Sequence, residues 1–160
     1  MNTMAKIANY TTEVKAQSSI SEIQTMLIAH GAKHILLDYD HGEPIGLAFI
    51  VNTPYGEMPF ILPANLQQVK AVLIKQRIRK REVSNELASR IAWRILKDWV
   101  RAQMAILETE MVSIDQVFLP YMQAGRDGKT LYQVMLDHRL QLPGGSNNSW
   151  GNTNAKHKVD

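Results

Sequence analysis

The chain has 160 residues, of which 45% are hydrophobic and 21% charged, enough to bury the core of one domain. It contains no cysteine, which excludes a disulfide framework and cysteine-based metal sites. No apolar run approaches the roughly 20 residues of a membrane span, and the N-terminus lacks the apolar region of a signal peptide. We therefore expect a cytoplasmic protein with one domain over residues 1–143 and a disordered polar tail over residues 144–160.

The first part of the chain carries strand patterns interrupted by one helix. Residues 7–14 alternate like a short strand, and Ser19 with Glu22 has the spacing of a capping box before a helix over residues 20–30. Gly31 suits the left-handed position that ends such a helix. Three strands are predicted over residues 33–40, 44–53 and 57–62, separated by tight turns. Pro59 places the last strand at an edge of the sheet, because proline cannot donate to a strand ladder.

The second part is predicted to be helical. Asn65 caps a helix over residues 66–76, and Ser84 caps a long helix that runs to residue 111. Capping boxes at Ser113 and Thr130 introduce two shorter helices. The resulting order is β-α-β-β-β followed by four helices. This order predicts an α+β fold, in which an antiparallel sheet has helices packed on one face.

The long helix has an apolar face, an apolar flank and a stripe of cations. At about 100° per residue, the predicted face holds Ala88, Ile91, Ala92, Ile95, Trp99, Ala102 and Ile106. The flank holds Trp93, Val100, Met104 and Leu107, and the stripe holds Arg90, Arg94, Lys97 and Arg101. This apolar surface is wider than one packing partner needs. Either the helix is covered from two sides, or its flank meets another protein.

Charge is distributed unevenly along the chain. Residues 70–101 hold ten basic and three acidic side chains, a net charge of +7, whereas the rest of the chain has a net charge of −4. Such segregation is typical of proteins that bind the phosphates of nucleic acids. The predicted nucleic-acid-binding residues are Lys75, Arg77, Arg79, Lys80, Arg81, Arg90, Arg94, Lys97 and Arg101, with Trp93 stacking on a base if it is exposed.

Two stretches carry a resemblance to known proteins. AWRILKDWVRAQMA, followed by FLPYM, is similar to small proteins of phage-like and environmental sequence sets, a group that implies no activity. The predicted order over residues 20–76 resembles the double-stranded-RNA-binding domain and the core of single-strand annealing proteins. This second likeness is one of element order alone. Asn65 to Gln68 stand where the RNA-binding domain has a lysine-rich helix start.

Two other functions compete with nucleic-acid binding by a protein of phage or mobile-element origin. The first is a protein-interaction module, an inhibitor or accessory subunit that docks through the apolar flank. The second is an enzyme that uses Asp38, Asp40 and His41, with a metal ion conceivable near His34. No nucleophile elbow, P-loop or dinucleotide fingerprint is present, so we predict no catalytic site, no metal and no cofactor. The expected partner is nucleic acid, DNA or RNA, or a host protein complex; no membrane is expected, and a homodimer is a further option.

Overall fold

The computed structural model describes residues 5–77, 83–125 and 127–138. Three strands and five helices follow one another in these ranges: α1 (Ala16–Ala29), β1 (Ala32–Asp40), β2 (Glu43–Thr53), β3 (Gly56–Ile61), α2 (Leu66–Lys75), α3 (Asn85–Glu108), α4 (Ile114–Phe118) and α5 (Leu131–Asp137), with a 3-10 turn at Leu119–Tyr121 between α4 and α5. The predicted α+β fold with an antiparallel sheet is confirmed. None of the described helices is long and apolar enough to cross a membrane. The predicted tail over residues 144–160 lies outside the described residues.

The sheet is a simple meander with β2 between β1 and β3. Leu47, Phe49 and Val51 alternate along β2 on the buried face, and Phe60 of β3 lies opposite Phe49. The predicted edge position of Pro59 is confirmed, since β3 is an end strand of the sheet and pairs with β2; its other side has an isolated bridge between Phe60 and Met122. On its other side, the carbonyl of Pro59 accepts a hydrogen bond of 2.8 Å from the Gln123 N–H.

The strand predicted over residues 7–14 is wrong. Asn9 takes a φ of +59°, and the Thr12 N–H donates to the Asn9 carbonyl at 3.0 Å, so the chain turns where the alternation suggested an extended segment. A left-handed residue cannot continue a strand. The observed order is therefore α-β-β-β followed by helices, without a first strand.

The first helix also begins earlier than its capping pattern suggests. It starts at Ala16 after Lys15, which makes no side-chain cap, and Ser19 is buried inside the helix. Glu22 is therefore not a capping residue. Its carboxylate points instead toward α3. The predicted left-handed Gly31 is confirmed, with a φ of +96°.

The long helix α3 is covered from two sides, which is one of the two alternatives that its wide apolar surface left open. One side packs against α1 and the sheet through Trp93, Leu96, Val100 and Met104. The other side contributes Leu87 and Ile91 to a smaller cluster with Leu73 and Val83. Burying apolar surface in two directions explains why so wide a part of α3 is apolar.

Candidate nucleic-acid interface

Trp93 lies in the core and is not available to stack on a base. Its side chain is fully buried, and the indole Nε1–H donates a hydrogen bond of 2.9 Å to the carbonyl of Pro44 in β2. A buried indole needs such a partner for its only polar atom. The assignment of Trp93 as a nucleic-acid-binding residue is therefore wrong, and the ring ties α3 to the sheet.

The apolar flank of α3 is core as well. Val100 and Met104 are buried beside Trp93, and Leu107 packs against the same cluster. By contrast Ala102 and Ile106, which were predicted to lie on the buried face, are exposed. The true core-facing surface is thus rotated around the helix toward the flank. This corrects the alternative of a protein-docking surface on Trp93, Val100, Met104 and Leu107.

The cationic stripe of α3 faces helix α1, where one carboxylate meets three cations. Arg94 Nη1 lies 3.4 Å from Glu22 Oε1, and Arg101 Nη2 lies 3.0 Å from Glu22 Oε2. Lys97 Nζ is 4.0 Å from the same Oε2. Glu22 is therefore the internal counterion of the stripe, and it competes with any external phosphate for these groups.

Lys97 is the least expected member of the stripe, because its side chain is only 1% exposed. Its ammonium donates to Asp98 Oδ1 at 2.5 Å, while Asn9 Nδ2 donates to the other oxygen at 2.9 Å. The hydrogen bond from Lys97 lowers the pKa of Asp98, opposed by desolvation and helped by the bond from Asn9. The expectation that Lys97 faces solvent and contacts phosphate is wrong.

Arg90 also has a carboxylate neighbour within the fold. Its Nη2 lies 3.8 Å from Glu86 Oε1, one helical turn earlier, and three-quarters of its side chain is covered. The four cations of the stripe thus have three carboxylates as neighbours, namely Glu22, Glu86 and Asp98. Only the outermost side chain, Arg101, is largely exposed.

The end of α2 presents a different kind of basic surface. Lys75, in the last turn, and Arg77, just after the helix, are both exposed, and neither pairs with a carboxylate of the described residues. Arg77 takes a φ of +49°, and its N–H donates to the Ile74 carbonyl at 3.1 Å. The left-handed conformation stops the helix and turns the chain, so the two cations project from a bend.

The N-terminal segment adds a cation that the sequence did not predict. The Gln76 side chain accepts from the Ile7 N–H at 2.8 Å and donates to the Ala5 carbonyl at 3.0 Å. The exposed residue between them is Lys6, whose ammonium lies 5.2 Å from the centre of the Tyr10 ring. Gln76 thus holds Lys6 beside the end of α2. No sequence signal marked this pairing of segments about 70 residues apart.

The remaining predicted cations follow directly in sequence. Arg79, Lys80 and Arg81 lie outside the described residues, so the structure does not report on their placement. Sequence alone shows that residues 1–12 and 58–81 contain no aspartate or glutamate, and that Glu13 and Glu82 follow these two ranges directly. Intrachain neutralisation from these segments is therefore excluded by composition.

The third group of candidate residues lies at the turn between β1 and β2. His41 Nδ1 is 2.7 Å from Asp40 Oδ1, but both side chains are largely exposed. Asp38 instead leans over Gly46, on the sheet face away from the core. Within residues 5–77, 83–125 and 127–138, no three histidine or acidic side chains are placed to hold a metal ion.

No family model matches this chain, and neither a curated protein nor a solved structure is significantly similar to it.

Proposed function

We propose that the protein binds nucleic acid, without catalysing a reaction, through a basic surface at the junction of α2 and α3. We call this surface the junction patch and define it as Lys6, Lys75, Arg77, Arg79, Lys80 and Arg81. The observation that supports it is the contrast in counterions. Lys75 and Arg77 are exposed and pair with no carboxylate of the described residues, whereas the α3 cations already have carboxylate neighbours.

The physical basis is the release of counterions from the phosphate backbone. Each cation that neutralises a phosphate adds affinity that falls with salt, without requiring a particular base sequence. Lysine and arginine on a bend suit this task, since their long side chains follow the spacing of successive phosphates. The proposal therefore specifies backbone recognition. It assigns no aromatic stacking residue, because Trp93 is buried.

The test is fluorescence anisotropy with labelled single-stranded and double-stranded DNA and RNA over a series of salt concentrations. The patch variant carries Lys75→Gln and Arg77→Asn; asparagine is chosen because it tolerates the left-handed backbone at position 77. We expect weaker binding to all sequences alike. The slope of log K against log salt should shrink by up to about 0.9 per lost contact on duplex DNA, or about 0.7 on single strands.

A matched control removes the same number of charges from the stripe. Arg94→Gln with Arg101→Gln takes away two cations that already contact Glu22. Its binding should stay close to that of the unmodified chain. Absence of binding by the unmodified chain at low salt would refute the proposal. If both variants lose the same affinity, binding depends on the overall charge of the protein and not on the junction patch.

A further inference from the structure

The outer edge of β1 is open in the described part of the chain. β1 pairs on one side with β2, and no described segment pairs with its other side. The side chains on the face away from the core include His34, Leu36 and Asp38. Leu36 is 63% exposed, in the middle of a nine-residue strand. An open strand edge of this length, with an exposed leucine at its centre, presents unpaired backbone groups that another strand can pair with.

We propose that the occupant of this edge is β1 of a second copy of the chain, paired antiparallel about a two-fold axis at Leu36. Such an axis stands perpendicular to the sheet. Side chains that face each other across the two strands must project from the same face. Neighbouring residues along a strand project from opposite faces, so the axis must pass through a residue and not between two residues.

The register centred on Leu36 is the one in which the facing pairs of the central five residues, 34–38, are all compatible. In this register His34 of each copy faces Asp38 of the other, so this pair forms once on each side of the axis. Leu36 of one copy faces Leu36 of the other between the two pairs. On the opposite face, the partly buried Ile35 meets Leu37 of the second copy, which joins the two hydrophobic cores. The sequence of β1 is thus self-complementary in charge and in size.

The neighbouring registers each contain a conflict. An axis at His34 or at Asp38 brings two identical polar groups face to face. An axis at Leu37 sets Leu36 against the carboxylate of Asp38, and an axis at Ile35 sets Leu36 against His34 and leaves Asp38 without its partner. Lys33 does not oppose the proposed register, because its ammonium is already 3.0 Å from Glu57 Oε1. The imidazole–carboxylate pair of His34 and Asp38, formed twice, therefore selects both the second copy as occupant and the register.

The first experiment exploits the absence of cysteine from the chain. Leu36→Cys introduces a single thiol on the proposed axis. Facing residues in an antiparallel pair have Cα atoms about 4.5 or 5.5 Å apart, within the range that a disulfide spans. Mild oxidation should yield a covalent dimer. The control Tyr55→Cys, in the exposed turn between β2 and β3, should cross-link much more slowly.

The second experiment reverses charges and measures self-association by sedimentation. His34→Asp sets two carboxylates against each other, and Asp38→Lys sets lysine against histidine. Each should weaken the homodimer by about tenfold or more. A mixture of the two variants restores opposite charges at both facing positions and should form a heterodimer. The matched control His41→Asp, in a fully exposed turn, should leave association unchanged.

A chain that stays monomeric at high protein concentration would overturn the proposal. It would also be overturned by a dimer that is indifferent to His34→Asp, or by equal cross-linking of Leu36→Cys and Tyr55→Cys. Circular dichroism checks that each variant is folded. If a charge variant does not fold, the cross-linking result decides alone. These outcomes are independent of nucleic-acid binding, which the junction patch variants address.

Discussion

The junction patch and the α3 stripe have similar sequences and different surroundings. Both are dense in lysine and arginine, and apart from Lys6 both belong to the same segment of net charge +7. In the stripe, Glu22 arrives from α1 and lies within 4.0 Å of three cations. At the junction, the segment that arrives is the acid-free N-terminus, which brings a further lysine. Basic density along a chain therefore does not decide which cations acquire an internal counterion; the segment that folds against them does.

The largest expected effect concerns the side of α3 that carries the stripe. Trp93→Ala should lower the free energy of unfolding by about 3–5 kcal/mol, because it empties a fully buried site. The sequence placed Trp99, and not Trp93, on the predicted apolar face of α3. Trp99 is only partly buried, with edge contacts to Phe118 and Tyr121, so we expect Trp99→Ala to cost less. Urea unfolding of both variants measures the order, and a larger loss for Trp99→Ala would reverse it.

The next effect tests the buried ammonium of the stripe. Asp98→Ala should destabilise the fold by about 1–3 kcal/mol, because Lys97 keeps only Glu22 at 4.0 Å. Lys97→Met should be close to neutral, because it fills the same space and leaves Asp98 partly solvated. Thermal and urea unfolding compare the two. If the two variants lose the same stability, the Lys97–Asp98 pair contributes as a unit. The cost of leaving a buried ammonium without its partner is then not the main effect.

Glu22→Gln tests whether the stripe cations can bind phosphate when their internal counterion is removed. Removing this carboxylate releases Arg94 and Arg101 from their counterion while the side chain keeps its size. We expect tighter binding to nucleic acid, with a salt slope steeper by up to about 0.9 per new contact on duplex DNA. Anisotropy measures the change. Unaltered binding together with unaltered stability would mean that Glu22 does not prevent Arg94 and Arg101 from contacting phosphate.

A smaller effect is expected at the junction itself. Gln76→Ala removes both hydrogen bonds that hold the N-terminal segment and should cost about 1 kcal/mol of stability. It should also weaken nucleic-acid binding slightly, because Lys6 is then no longer held beside Arg77. The comparison is with Lys6→Gln in the unmodified chain. If Gln76→Ala weakens binding and Lys6→Gln does not, then Gln76 does not support binding by positioning Lys6.

The smallest expected effect is on the acid side of the stability profile. Because the pKa of Asp98 is lowered from its ordinary value of 3.8, its contribution is present above that value and is lost as the pH falls through the folded-state pKa. Asp98→Asn should therefore flatten the profile below about pH 4. The effect is modest because half of the side chain is exposed. Unfolding curves at several acidic pH values detect it, and parallel profiles for the two proteins would contradict it.

Sequence by itself determined the features that depend on near neighbours. The caps Ser84 and Thr130 accept from backbone N–H groups three residues later, Gly31 ends α1, and alternation marks β2. These interactions close within a few residues, so local residue types specify them. The same reasoning predicted the antiparallel meander, and it gave the double covering of α3 as one of two alternatives.

Tertiary structure decided which charged and aromatic side chains are available. Glu22 reaches Arg94 and Arg101 across 72 and 79 positions, and the Trp93 indole finds its acceptor 49 positions away. Helical periodicity orders residues around an axis, but it does not say which direction the neighbouring elements occupy. That direction buried Lys97, exposed Ala102 and left Lys75 and Arg77 at the surface, because contacts between distant segments determine where each face of a helix points.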